Sequence, residues 1–171
     1  MPFILLVAGP NGAGKTTFAR QLTNLRPEAM FVNADEAAQA LPQELSVSTR
    51  NFRAGRVALD RLKSLIEAGA DIILETTLAG HSYRVAIPTW RARGYDVDLY
   101  YLRLPTVEVS LKRIRTRVAA GGHNIPEEDA KRRFGRSLAG FEEVKWLVDA
   151  WYLFDSLEGS FELVVAGENH G

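Results

Sequence analysis

Cysteine is absent from this 171-residue chain, which excludes disulfide bridges and thiolate metal sites. Net charge is absent too. Twenty-one Lys and Arg balance 21 Asp and Glu, so the chain as a whole offers no electrostatic track for nucleic acid. No apolar run is long enough for a membrane span. The first, Phe3 to Ala8, covers six residues with no basic region before it, so it predicts a core strand and neither a signal peptide nor a transmembrane segment. Internal repeats, low-complexity tracts and linkers are also missing. What remains is ordinary for a soluble globular protein, at 46% hydrophobic and 25% charged residues. The simplest organisation is one domain over residues 1–171, long enough to bury a core without staples.

What is present begins directly after that first run. Gly9-Pro10-Asn11-Gly12-Ala13-Gly14-Lys15-Thr16 is a complete G-x-x-x-x-G-K-[ST] loop. Thr17 to Leu25 follows with Phe18, Leu22 and Leu25 at helical spacing. Strand, glycine loop and helix without a gap make a polyphosphate cradle, with backbone N–H groups turned inward and a helix N-terminus behind them. The pattern predicts ATP on residues 9–17, with Lys15 at the β/γ-phosphates and the Thr16 hydroxyl on Mg²⁺. A cytoplasmic location is the expectation that goes with ATP supply.

Met30 to Asn33 predicts a second strand, and Asp35 lies just past its end, where ligands bind in open α/β sheets. Two readings stand for Asp35. It can take the proton from an attacking hydroxyl, or it can cap a helix starting at Glu36. Residues 41–50, with Pro42, predict a loop or short helical piece. A helix is expected from about Asn51 to Ala68, its stripe formed by Ala58, Leu62, Leu65 and Ile66, with Gly69 ending it. Asp71 to Glu75 predicts a buried strand closing on an acid, followed by Thr76 and Thr77. Glu75 can order Mg²⁺ or hold a substrate hydroxyl, or be a solvated strand end. Ser82 to Arg93 predicts a helix despite Pro88, and Tyr95 to Leu102 a fourth strand.

Thr106 to about Ala120 predicts a helix carrying Arg113 and Arg117 one turn apart. A glycine loop, Gly121-Gly122-His123-Asn124-Ile125-Pro126, leads to another helix with three acids in its first turn and then Arg132, Arg133 and Arg136. From Arg103 to Arg136 nine Lys/Arg face four Asp/Glu. Residues 106–138 thus read as a helical lid bringing guanidinium groups to phosphate, or as a basic solvated surface. A long closing helix is expected through Phe141, Val144, Val148 and Trp151. Phe161 to Val165 is the expected last strand, with a turn at Ala166-Gly167.

Together these motifs resemble the zeta toxin family of small phosphate-loop kinases. The residues carrying the resemblance are Gly9 to Thr16, Val32-Asn33-Ala34-Asp35-Glu36, Glu75-Thr76-Thr77, Gly94-Tyr95, Arg113, Arg117 to Pro126 and Arg132-Arg133-Phe134. The resemblance implies an ATP-dependent kinase, UDP-N-acetylglucosamine as acceptor in the characterised toxins, and a small helical antitoxin as protein partner. It also implies Asp35 as the base and Glu75, with Thr76 beside it, at substrate and magnesium. Arg117 matches an arginine that grips phosphate, and Arg113 and Arg132 are looser matches. Two departures bear on the acceptor. The chain lacks the extensions that the toxins place around the nucleotide sugar, and its Gly-Gly-His-Asn-Ile-Pro segment is typical of short zeta-like proteins.

The expected fold is a three-layer α/β P-loop architecture of five mainly parallel strands. Its order, 2-3-1-4-5, is taken from nucleoside and shikimate kinases. The expected function is transfer of phosphate to a hydroxyl of a small molecule. The rivals are a kinase for another metabolite or nucleoside, and a nucleotide-dependent switch without small-molecule chemistry. A nucleic-acid end kinase is disfavoured by the zero net charge.

Overall fold

A computed structural model describes residues 1–42, 44–122 and 124–169, and at Val47 the backbone only. The elements alternate as the sequence pattern requires: β1 (Phe3–Ala8), α1 (Lys15–Leu25), β2 (Met30–Val32), α2 (Ala34–Gln39), α3 (Val47–Glu67), β3 (Ile72–Thr76), α4 (Tyr83–Ala92), β4 (Asp96–Arg103), α5 (Val107–Ala119), α6 (Glu127–Val144), β5 (Ala150–Ser156) and β6 (Phe161–Glu168). They form an α/β P-loop kinase fold around one six-stranded sheet in the order β2-β3-β1-β4-β5-β6.

β1 lies centrally, parallel to β3 on one side and β4 on the other. Its residues are apolar on both faces because helices cover both. On one face Ile4, Leu6 and Ala8 pack with Leu62 of α3, Ile87 and Trp90 of α4, and Phe141 and Val144 of α6. On the other face Leu5 and Val7 meet Phe18 and Ala19 of α1. A smaller cluster of Leu111, Ile114, Ile125 and Ala130 joins α5 to α6. The loops that follow β1, β2 and β3 emerge at the same sheet edge, which gathers the phosphate loop, Asp35 and Glu75.

Several expectations require correction. The closing helix does not run through Trp151. α6 stops at Val144 and Ala150–Ser156 is β5, parallel to β4, with Trp151 paired with Leu99. The sheet therefore has six strands, and the fifth place in the expected order belongs to a segment read as helix. Phe161–Glu168 is a sixth strand, antiparallel to β5. Ala166 and Gly167 lie inside it and form no turn. A Cβ on Gly167 would stand 2.5 Å from the Trp151 ring, so this close approach of strand to indole needs glycine. The helix expected over Ser82 to Arg93 is present as α4, with Pro88 inside it. α3 begins at Val47, earlier than expected; Gln43 and His123 lie outside the described residues.

Candidate functional site

The phosphate loop takes the form its glycines permit. Gly9, Gly12 and Gly14 have φ of 148°, 81° and 82°, a region that side chains disfavour. A Cβ at Gly9 would stand 2.5 Å from the Leu102 carbonyl oxygen, and one at Gly14 3.1 Å from the Phe161 ring. Gly14 is the N-cap of α1 and supplies no side-chain cap. The first-turn N–H groups of α1 therefore remain for an anion, at the positive end of the helix dipole. Among the described residues Asn11 Oδ1 is buried without a hydrogen-bond partner, and Asn11 lines the cavity beside the loop.

α5 braces this loop from outside. Ser110 Oγ donates to the Asn11 carbonyl at 2.6 Å. Arg113 Nη1 donates to the Gly12 carbonyl at 3.3 Å and to Ser156 Oγ at 2.8 Å, and its Nη2 donates to the Ser156 carbonyl at 3.0 Å. Arg113 thus ties the phosphate loop, α5 and the end of β5 together.

Lys15 is only 8% exposed and its Nζ donates to the Pro10 carbonyl at 3.0 Å. Burial holds its pKa below the usual lysine value, opposed by the carboxylates of Glu75 and Asp35. Thr16 Oγ1 donates to Glu75 Oε2 at 2.9 Å, joining the phosphate loop to the end of β3. Burial raises the Glu75 pKa, against the attraction of Lys15 and the Thr16 hydrogen bond. Asn33 completes the set. Its Nδ2 donates to Glu75 Oε2 at 2.9 Å, and its Oδ1 accepts the Asp35 backbone N–H at 2.7 Å as the N-cap of α2. Asn33 therefore does the capping that could have occupied Asp35, and Asp35 sits in the first turn of α2.

One cavity of about 510 Å³ is lined by Lys15, Thr16, Thr17, Asp35, Glu75 and Thr76 together with Asn11, Gly12 and Gly14. Of the expected loop residues, Gly9, Pro10 and Ala13 frame the loop without lining that cavity. Arg113 and Arg117 line it; Arg132 does not. Arg132 lies on the outer side of α6 in an exposed ion pair with Asp129 at 2.6 Å, and its neighbour Arg133 lines the cavity instead. Residues to which the sequence reading gave no role in the site also belong here. They are Asn33, Ser110, Ser156, Ser82, Tyr83 and the α3 residues Gly55, Ala58, Leu59 and Leu62. The glycine loop signals the first half of the site, but no local motif marks a residue on α3 or on β5 as facing it.

Beyond β3 the backbone takes an unusual form. Leu78 is 1% exposed and has φ 53°, a left-handed conformation that costs a leucine about 1–3 kcal/mol. Its N–H donates to Thr76 Oγ1 at 3.1 Å, and Ala79 N–H to Thr77 Oγ1 at 3.4 Å. α6 seats against this turn at Gly140, where any Cβ would collide with the Leu78 carbonyl oxygen.

Among the described residues no group of three or more His, Cys, Asp or Glu could hold a metal. The donor set that exists, a threonine hydroxyl and a carboxylate beside a phosphate loop, suits a hard oxygen-loving cation that keeps most of its water, as Mg²⁺ does. No helix among the described residues is long and apolar enough to cross a membrane.

Fold and loop together define a P-loop kinase-like α/β protein. The chain belongs to the AAA domain family, whose model matches residues 4–143. It is 32% identical over 133 residues to an uncharacterized protein of Haemophilus influenzae, covering 76% of this chain and 91% of that one. A chain of the PezAT chromosomal toxin–antitoxin system of Streptococcus pneumoniae has a similar fold, with a TM-score of 0.71 and 20% identity over 97% of this chain and 72% of that chain. Shikimate kinase from Acinetobacter baumannii, in complex with shikimate, is similar at a TM-score of 0.54 and 21% identity, over 93% of this chain and 86% of that chain.

Proposed function

We propose that the protein is an ATP- and Mg²⁺-dependent kinase that phosphorylates a hydroxyl of a small molecule. One observation carries this reading: Lys15, the Thr16–Glu75 pair and Asp35 converge on a single cavity at the mouth of a complete phosphate loop. Similarity of fold to a shikimate kinase supports the same class of chemistry.

The γ-phosphoryl end of ATP lies on the loop N–H groups and Lys15. The acceptor lies between Asp35 and Glu75. Asp35 takes the proton of the acceptor hydroxyl as its oxygen bonds to the γ-phosphorus; the bond from that phosphorus to the bridging oxygen breaks and ADP leaves. Lys15, with Arg117 and Arg133 from the two arginine helices, offsets charge on the transferring group. The Thr16 hydroxyl and Glu75 would hold Mg²⁺, directly or through water, which when bound neutralises the β- and γ-phosphate oxygens.

Residues 106–138 act as the lid of this single kinase domain, with a narrower moving part than that span. Ser110 and Arg113 are tied to the phosphate loop, so closure begins beyond Arg113. Resemblance to zeta toxins puts UDP-N-acetylglucosamine among the acceptors to screen, makes a helical antitoxin the first protein partner to test and the cytoplasm the expected compartment. The fold shared with a chain of the PezAT toxin–antitoxin system supports testing an antitoxin partner.

Phosphorus NMR of the protein with Mg·ATP and a pool of hydroxyl compounds tests the reading, with Lys15→Ala as blank. A new phosphomonoester that depends on Lys15 is the expected result. Phosphate release alone, whatever is added, would instead support a nucleotide-dependent switch.

A further inference from the structure

The cavity has two chemically different ends. Its cations are Lys15, Arg113, Arg117 and Arg133. All belong to the phosphate end: Lys15 feels Arg117 and Arg133 as neighbouring like charges, and Arg113 is fastened to Gly12. Among the described residues, no Lys, Arg or His lines the opposite end.

α3 makes that opposite wall with Gly55, Ala58, Leu59 and Leu62, whose spacing of three, one and three residues is one helical face. The helix is rich in bases, yet Arg53, Arg56, Arg61 and Lys63 are exposed, the half-buried Arg50 donates to the Leu45 carbonyl, and none of them lines the cavity. Asp35 and Glu75 lie close enough to Lys15 to hold its pKa up against burial, so its charge is already answered by theirs. A phosphate or carboxylate placed against the α3 wall would find no cation of that wall to pair with, and burying it so is costly.

Hydroxyls supply the rest. Thr76, Thr77, Ser82 and Tyr83 line the cavity from β3 and the start of α4. The two threonine oxygens accept backbone N–H groups, and Thr76 also pairs with the Tyr83 phenol, so Thr77 and Ser82 keep hydroxyls for a ligand. Burial raises the Tyr83 pKa against that hydrogen bond. Gly55 adds an independent sign. Glycine is a poor residue for a helix interior, and a Cβ there would meet nothing within 4 Å. No neighbour in the protein requires the missing side chain; the space it leaves open is the cavity.

We infer that the acceptor is a polyhydroxylated molecule without phosphate or carboxylate, neutral or amine-bearing, whose C–H face lies on the Gly55–Leu62 wall while its hydroxyls meet the threonine, serine and tyrosine side chains. The inference rests on the kinase reading and narrows it away from nucleotide sugars and sugar acids.

Matched acceptors test it: N-acetylglucosamine against UDP-N-acetylglucosamine, glucose against gluconate, adenosine against AMP, with glucosamine as the cationic case. Phosphotransfer is followed by phosphorus NMR, and binding by ligand-observed proton NMR with Mg·ADP present. The uncharged or cationic members should bind, and the best of them should exceed its anionic counterpart at least tenfold in kcat/KM. Gly55→Arg should shrink or reverse that ratio, and Leu59→Arg, at the exposed lip of the same wall, should do so if the first variant folds poorly. Gly55→Ala controls for the helix. Preference for the anionic members in the wild-type protein overturns the inference, as does failure of every uncharged and cationic member to bind. Binding with the expected charge preference but no phosphomonoester from any compound retires the kinase reading and leaves the charge assignment standing.

Discussion

Asn33 Nδ2 donates to Glu75 Oε2 at 2.9 Å while its Oδ1 accepts the Asp35 backbone N–H at 2.7 Å. One amide thus fixes the spacing of the two acids of the site. Asn33→Ala removes the N-cap of α2, worth about 1 kcal/mol, and one of the donors to a partly buried carboxylate. Denaturant unfolding should show a loss of about 1–2 kcal/mol, and kcat should fall with ATP affinity kept. Asn33→Asp keeps the capping oxygen but sets a carboxylate against Glu75, so it should lose stability to that repulsion as pH rises and should not recover the turnover. Undiminished kcat in both variants would end the positioning role of Asn33.

Asp35→Asn keeps the shape of the site and removes the proposed base. Turnover should drop about 10²–10⁴-fold, with nucleotide binding by calorimetry near the wild-type value. Ordinary turnover in this variant would take Asp35 out of the chemistry.

Glu75 gives stability a pH dependence of definite sign. Burial raises its folded pKa above the ordinary glutamate value of 4.5. Its contribution is therefore fully present below pH 4.5 and is lost as pH rises through the folded value. Thermal unfolding of wild type and Glu75→Gln across pH 4–8 should show the wild type gaining relative to the variant as the solution is acidified through that window. A difference that stays flat, or moves the other way, would mean that Lys15, Thr16 and Asn33 outweigh burial.

Lys15 has the opposite direction, since burial depresses its folded pKa. The stability attached to it is complete above the ordinary lysine pKa of 10.5 and is lost as pH falls through the folded value. At neutral pH the charged amine is a cost retained for function. Lys15→Met, similar in length and uncharged, should abolish turnover and raise Tm at pH 7. A lower Tm would show that attraction to Glu75 and Asp35 exceeds the desolvation of the amine.

Sequence and structure agree where several signals coincide. Phe3 to Thr16 combines an apolar run, glycines and a helix start, and its geometry follows. Glu75 closes an apolar run and reaches Thr16 across 59 positions. β5 was illegible for a physical reason. Phe141, Val144, Val148 and Trp151 happen to keep helical spacing, and neither glycine nor proline separates Val144 from Ala150. The strand's Trp-Tyr-Leu-Phe run carries aromatic β preference, but its residues are half-buried on both faces and show no alternation. Arg132 and Arg133 are adjacent and identical in type, so only the seating of α6 on its neighbours decides which one lines the cavity. Asn33 reads locally as the end of a strand, and its link to Glu75 spans 42 positions.

The contact of Gly140 with Leu78 gives α6 a fulcrum. Arg133 stands seven positions before Gly140 on the same helix, about 10 Å along its axis. A tilt of about 10° around that point swings the guanidinium-bearing end by about 2 Å, the difference between a made and a broken hydrogen bond. The Leu78 turn is also built on Thr76. Thr76, the Leu78 turn it anchors and the seat of α6 at Gly140 thus form one unbroken line of contacts, and Arg133 stands about two turns along the helix from its end.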